Sequence, residues 1–216
     1  MTNKLVKAIE RKFQVKVTNL GKHFAQMLLF KNLNFNVNHG DILAITGWNG
    51  SGKSTLLRVL AGLIKASAGR VDMFMNDQLV PAEMRRLYLG MVAPALSLYL
   101  ELTARENLIF FSRVRGLKLN RTTIEEIIGR VGLKDRGDDI CGTYSSGMLQ
   151  RLKFAQALLH QPPLLLLDEP FSNLDRKGIK IVEDIISKQR LSGITIIASN
   201  EKREVDYADR VINLSA

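Results

Sequence analysis

The sequence predicts an α/β fold with a mainly parallel core sheet, N-terminal antiparallel strands and an inserted helical subdomain. Three observations carry this expectation. A short apolar run, Ile42 to Thr46, ends in a glycine-rich turn and leads into a segment of helical composition, Lys53 to Ala61, that stops at Gly62. Two further apolar runs, Leu164 to Leu167 and Ile194 to Ala198, flank a helical stretch around Arg176 to Leu191, which is the rhythm of a parallel sheet. Between these regions, Thr103-Ala104-Arg105-Glu106 and Thr122-Thr123-Ile124-Glu125 both match the pattern in which Thr and Glu satisfy reciprocal backbone donors at a helix start. They predict a helical lobe over approximately 96–150.

The remaining elements follow from local pattern. Phe13 to Leu20 and Leu29 to Val37 partly alternate apolar and polar residues, as strands with one buried face do, and Val211 to Leu214 reads as a last strand. No internal repeat or low-complexity linker divides the chain, so one domain over residues 1–216 is expected. A length of 216 residues with 46% hydrophobic content supports a sizeable core. The apolar runs fall far short of the roughly 20 residues that a membrane-spanning helix needs. Met1 to Lys12 is mixed and charged, without the apolar centre of a secretory signal, so a cytoplasmic location is expected. The single cysteine, Cys141, reads as a small buried thiol.

Lysine and arginine number 31 against 21 acids, a net charge of +10 that attracts polyanions. Short clusters such as Arg11-Lys12, Arg85-Arg86 and Lys202-Arg203 are interrupted by acids and apolar residues. A solvated basic surface explains them better than a nucleic-acid face, and no nucleic-acid partner is expected.

The chemistry is concentrated in three places. Gly47-Trp48-Asn49-Gly50-Ser51-Gly52-Lys53-Ser54-Thr55 contains G-x-x-x-x-G-K-S between a predicted strand and a predicted helix, the context in which this pattern cradles phosphates. Its glycines let backbone N–H groups turn inward, the helix start adds its positive end, Lys53 reaches the β and γ phosphates, and Ser54 ligates magnesium. The alternative is a glycine-rich turn that merely starts a helix. Leu164 to Leu167 leads into Asp168-Glu169, two carboxylates at the end of a buried strand, where sites of open parallel sheets gather. There Asp168 would hold magnesium and Glu169 would polarise the attacking water, unless one of them simply caps the next element. Tyr144-Ser145-Ser146-Gly147-Met148 opens an apolar helix, so Ser145 and the N–H groups of Ser146 and Gly147 could grip an anion, although such a segment is more often an ordinary helix start.

In this order the three motifs resemble the ATP-binding-cassette (ABC) ATPase family of P-loop NTPases over essentially the whole chain. Tyr144 to Met148 resembles its LSGGQ signature, and Ser172-Asn173-Leu174-Asp175 its D-loop, with Asp175 at the end. Phe24, 23 positions before Gly47, resembles the aromatic residue that stacks on adenine, with an ordinary core aromatic as the competing reading. The resemblance implies ATP and magnesium as ligands, and a second nucleotide-binding domain, most simply another copy, whose Ser145, Ser146, Gly147 and Met148 complete the site. It also implies a membrane-spanning permease partner and a peripheral position on the cytoplasmic face of the membrane. Leu96 to Asn107 is similar to exporter-type and heme-exporter-like subunits.

Two positions depart from the family pattern. No glutamine occurs between Gln78 and Gln150, and Ala93 or Pro94 takes the place of the family's magnesium-sensing glutamine. The proline fixes φ there and predicts a stiffer hinge. After Ile194 to Ala198 the family's switch histidine is replaced by Asn200, which can hold a γ-phosphate but cannot become an imidazolium. The resemblance therefore implies an ATP-hydrolysing transporter subunit with Glu169 and Asn200 in the catalytic step. An ATP-dependent switch with little turnover and a soluble non-transport ATPase acting on nucleic acid remain as alternatives. No Asn-Lys-x-Asp motif favours a GTPase.

Overall fold

The computed structural model describes residues 12–25 and 27–214. The expectation for Met1 to Arg11 lies outside these residues. The chain opens with a long hairpin, β1 (Phe13–Phe24) and β2 (Met27–Asn38), followed by β3 (Ile42–Thr46), α1 (Lys53–Leu60), β4 (Ala68–Met75), β5 (Gln78–Leu79) and β6 (Leu89–Val92). Three helices come next: α2 (Ala104–Val114), α3 (Arg121–Arg130) and α4 (Ser146–Ala157). The chain then returns through β7 (Leu164–Asp168), α5 (Arg176–Gln189), β8 (Ile194–Ala198), the short α6 (Lys202–Val205) and β9 (Arg210–Asn213).

The strands form two sheets. One is antiparallel, in the order β2-β1-β4-β5, and the other is parallel throughout, in the order β6-β7-β8-β3-β9. The parallel sheet is covered on both faces, which is why its central strands are continuous apolar runs. Leu164, Leu166, Ile194 and Ile196 face Leu56, Leu57 and Leu60 of α1 and the inner side of the antiparallel sheet, Val15, Val17 and Met73 among it. Leu165, Leu167 and Ile197 face the opposite way, onto Leu108, Ile124, Leu152 and Ile186 of α2 to α5.

The first two strands run past the expected ends because the hairpin continues pairing to Phe24↔Met27, with irregularities near Leu20 and Lys22 that hide the alternation. The reciprocal Thr/Glu cap holds at Thr103 and Glu106. It fails at Thr122 and Glu125. Helix α3 begins one residue before Thr122, capped by Asn120, whose Oδ1 accepts the Thr123 N–H at 2.8 Å. The Glu125 carboxylate is committed instead to Arg105 at 2.7 Å and Arg121 at 2.8 Å. Cys141 is buried, and burial pushes its thiol up to about 11, so it stays protonated and inert.

Candidate functional site

The site collects at the C-terminal ends of β3, β7 and β8, which lie side by side in the parallel sheet. Helix α1 starts there, and its start differs from those of α2, α3, α4 and α5. Thr103, Asn120, Ser145 and Asp175 each accept a backbone N–H at the opening of those four helices, whereas Gly52 leaves α1 without a side-chain cap. Open N–H groups at the positive end of a helix are what an anion requires. Gly50 and Gly52 hold φ values of 94° and 99°, a region in which a side chain is strained, and so turn the loop over the helix start. The Ser51 hydroxyl inside this turn is buried and makes no hydrogen bond with the protein. These features fit a bound phosphate chain.

Lys53 is buried at the first position of α1, and its Nζ donates to the Gly47 carbonyl at 2.7 Å and the Trp48 carbonyl at 3.3 Å. Those are carbonyls of the loop itself, so the ammonium is already aimed into the turn. Asn49 is exposed, Trp48 lies against Gly50, and Thr55 is half-buried within the helix. Ser54 Oγ donates to Asp168 Oδ1 at 3.1 Å, joining the start of α1 to the last residue of β7. Burial pushes the Asp168 carboxyl above its ordinary range, the Ser54 bond opposes this, and neighbouring Glu169 adds to it. A cation on this carboxylate would offset its burial. A hydroxyl and a carboxylate are the hard oxygen ligands magnesium takes, and phosphate oxygens and water suit its remaining positions. Among the described residues no group of three or more His, Cys, Asp or Glu is placed to hold a metal ion.

Glu169 is exposed just beyond β7, with φ 49° and its N–H donated to the Ala198 carbonyl at 3.0 Å. Asn200 stands just beyond β8. Its Oδ1 accepts the Gly47 N–H at 3.1 Å, which fixes the amide orientation, and its Nδ2 donates to Asn49 Oδ1 at 3.4 Å. The sequence placed Asn200 near a γ-phosphate; the geometry ties it to the phosphate loop.

The signature residues sit at the start of α4. Ser145 and Ser146 are exposed, Gly147 and Met148 half-buried, and Ser145 Oγ accepts the Met148 N–H at 3.2 Å. A Cβ at Gly147 would stand 2.7 Å from the Asn173 carbonyl, so glycine lets the D-loop lie against this helix. Asp175 caps α5, accepting the Gly178 N–H at 2.7 Å. Phe24 is 45% exposed at the hairpin tip with the Lys22 ammonium 4.5 Å over its ring, so the core reading of this aromatic is withdrawn. At the position of the family's glutamine, Ala93 is buried and Pro94 exposed. Sequence reasoning missed Lys153 of α4, whose Nζ donates to both carbonyls, at 3.3 Å to Ala93 and 3.1 Å to Pro94. Its partners lie 60 and 59 positions away, so no local pattern marks it.

A cavity of about 330 Å³ lies between Pro94, Leu96 and Leu98, the first turns of α4 and Ser172-Asn173. A larger one, about 820 Å³, is lined by Pro163, Arg190 and Ser192 before β7 and β8 and contains none of the motif residues. Sites in open parallel sheets lie at the other end, where the loop and carboxylates are.

The sequence matches the ABC transporter family over residues 30–172. It is 37% identical over 187 residues to the bacitracin transport ATP-binding protein of Bacillus licheniformis, covering 86% of this chain but only 61% of that protein's length. It is 32% identical over 206 residues to the cytochrome c biogenesis ATP-binding export protein of Mannheimia succiniciproducens, covering 94% of each. A solved ATP-binding subunit of an ABC transporter superposes with a TM-score of 0.80 at 25% identity, covering 93% of this chain and 85% of that one. The chain belongs to the ABC transporter family.

Proposed function

We propose that this chain hydrolyses MgATP to power a separate membrane-spanning subunit of an exporter-type transporter. The observation that carries the reading is the uncapped start of α1 with Lys53 aimed into its loop, beside the Ser54–Asp168 pair and Glu169. The loop amides from Gly47 to Thr55 and Lys53 hold the β and γ phosphates. Ser54 and Asp168 hold magnesium, which when bound neutralises charge on those phosphates. Glu169 accepts a proton from a water whose oxygen bonds to the γ-phosphorus as the bond to the ADP oxygen breaks, releasing ADP and phosphate. Asn200 keeps the loop in shape, and Phe24 stacks on adenine.

A second copy of the chain supplies the other half of the site. Exposed Ser145 and Ser146, with Gly147 and Met148, cover the nucleotide held by the partner copy, and Asp175 closes the D-loop beside them. The permease docks on the helical lobe within the single domain 1–216, and exposed Tyr99, Leu100, Phe110 and Val114 support this. No helix among the described residues is long and apolar enough to cross a membrane, which supports a peripheral subunit on the cytoplasmic face. The names of the relatives that move bacitracin or serve cytochrome c biogenesis export support an exporter.

A switch with little turnover is the second reading, favoured by Lys153 pinning Ala93 and Pro94 and by the commitment of the Asn200 amide to the loop. Affinity purification of the tagged chain from solubilised membranes tests the transporter reading. A stoichiometric membrane-spanning partner is expected, whereas recovery only as a free dimer would overturn it.

A further inference from the structure

The peptide group between Pro170 and Phe171, one residue past Glu169, is gripped at both ends by buried side chains from two helices. Gln150 of α4, 6% exposed, donates from Nε2 to the Pro170 carbonyl at 3.2 Å. Glu204 of α6, 1% exposed, accepts the Phe171 N–H on Oε1 at 2.8 Å. Neither bond follows from secondary structure, since the partners are 20 and 33 positions apart.

The grip matters because of what it flanks. Glu169 has φ 49°, a conformation that persists in a residue with a side chain only when the surroundings over-determine it. On one side its own N–H is fixed to the Ala198 carbonyl at 3.0 Å. On the other, the next peptide but one is held by Gln150 and Glu204. Glu204 also reaches back to the switch segment: Ser199, beside it, donates its N–H to the Ile45 carbonyl at 3.0 Å and accepts the Glu201 N–H on Oγ at 2.9 Å.

Asp168 and Glu204 are the buried carboxyls among the described residues. Asp168 has a ligand role that explains its burial; Glu204 is not explained by packing, because an apolar residue of its size would avoid the cost of desolvation. Burial pushes the Glu204 carboxyl up, opposed by the Ser199 hydroxyl and the Phe171 N–H. Oε1 carries the bond to the Phe171 N–H, so an acceptor there is what a replacement must preserve.

We propose that Gln150 and Glu204 are positioning residues for hydrolysis: they clamp the Pro170–Phe171 peptide, hold Glu169 in place for the attacking water, and join the segment carrying Asn200 to the signature helix. This rests on the reading of Glu169 as the base.

The test compares Glu204→Leu, Glu204→Gln and Gln150→Leu with the wild type, each assembled with the membrane partner, by steady-state MgATP hydrolysis and by amide hydrogen exchange at Phe171. Glu204→Gln keeps an acceptor oxygen and is expected within about threefold of wild-type kcat. Glu204→Leu and Gln150→Leu are expected to lower kcat at least tenfold with KM for MgATP within about twofold, and exchange at Phe171 should accelerate at least 100-fold in Glu204→Leu only. Wild-type exchange in Glu204→Leu would overturn the clamp. Fast exchange with unchanged kcat would overturn the positioning role, as would an equal loss in Glu204→Gln. Should Glu204→Leu fail to fold, Gln150→Leu decides, and wild-type kcat there would refute the proposal. A wild type that releases no phosphate would refute the hydrolysis reading itself, while slow Phe171 exchange in it would show the clamp intact.

Discussion

Asn200 makes contacts that its place in the sequence does not show. Its position after β8 was legible from order alone, because the apolar run Ile194 to Ala198 marks the strand end. Its contacts were not, since they join residues 153 and 151 positions apart through the register of β3 against β8. With Oδ1 on the Gly47 N–H, the amide stiffens the loop before any nucleotide arrives. Asn200→Ala should therefore raise KM for MgATP about fivefold, the equivalent of about 1 kcal/mol for one hydrogen bond, with a smaller effect on kcat. Steady-state kinetics decide. A collapse of kcat at unchanged KM would instead place Asn200 on the γ-phosphate in the transition state. Lys53, Ser54, Asp168 and Glu169 were singled out from the sequence because the motif around each is written in its immediate neighbours. Lys153 and Glu204 had no such neighbours and surfaced only in three dimensions.

At the scale of elements, the helices and buried strands were legible where one signal dominated. Continuous apolar runs marked β3, β7 and β8, which are covered on both faces. Strands β4, β5 and β6 were not foreseen: β4 opens with exposed Ala68, Gly69 and Arg70, and β5 and β6 are two and four residues long, so none carries a readable alternation. The start of α3 was misplaced because two capping patterns overlapped and Asn120 took the role. Asn120→Ala should cost about 1 kcal/mol and lower Tm by about 2–4 °C, whereas exposed Thr122→Ala should leave Tm nearly unchanged. Thermal denaturation of the two variants checks this directly, and a larger loss at Thr122 would contradict the observed cap. Gly147 belongs to the same scale: with the Asn173 carbonyl 2.7 Å from any added Cβ, Gly147→Ala should displace the D-loop from the start of α4 and reduce hydrolysis more than stability.

Across the whole molecule, two packed cores meet on opposite faces of one sheet, and the fold class was readable because strand, phosphate loop and helix come in an order that few other architectures use. The pH response of stability is also a property of the whole. His160 lies between the Leu89 carbonyl, 3.0 Å from Nε2, and the Arg115 guanidinium, 3.3 Å from the same atom. Burial, with the Arg115 charge, pushes its imidazole down to about 4, against the Leu89 bond. The unfolded chain binds that proton near pH 6.5 while the folded chain resists it, so this contribution is complete above pH 6.5 and is lost as pH falls toward 4. Asp168 and Glu204, whose carboxyls are pushed up, act in the opposite sense at the acid end. His160→Gln should therefore lose about 1 kcal/mol less stability than the wild type between pH 7 and 5, after allowance for solvent screening, as read by denaturant unfolding. The central claim is hydrolysis at the Gly47–Thr55 loop with Glu169 as base, and phosphate release at saturating MgATP by the wild type and Glu169→Gln, assembled with the membrane partner, tests it most directly. The account predicts measurable wild-type turnover that falls at least 100-fold in Glu169→Gln while ATP binding persists; a wild type as inactive as Glu169→Gln would contradict it.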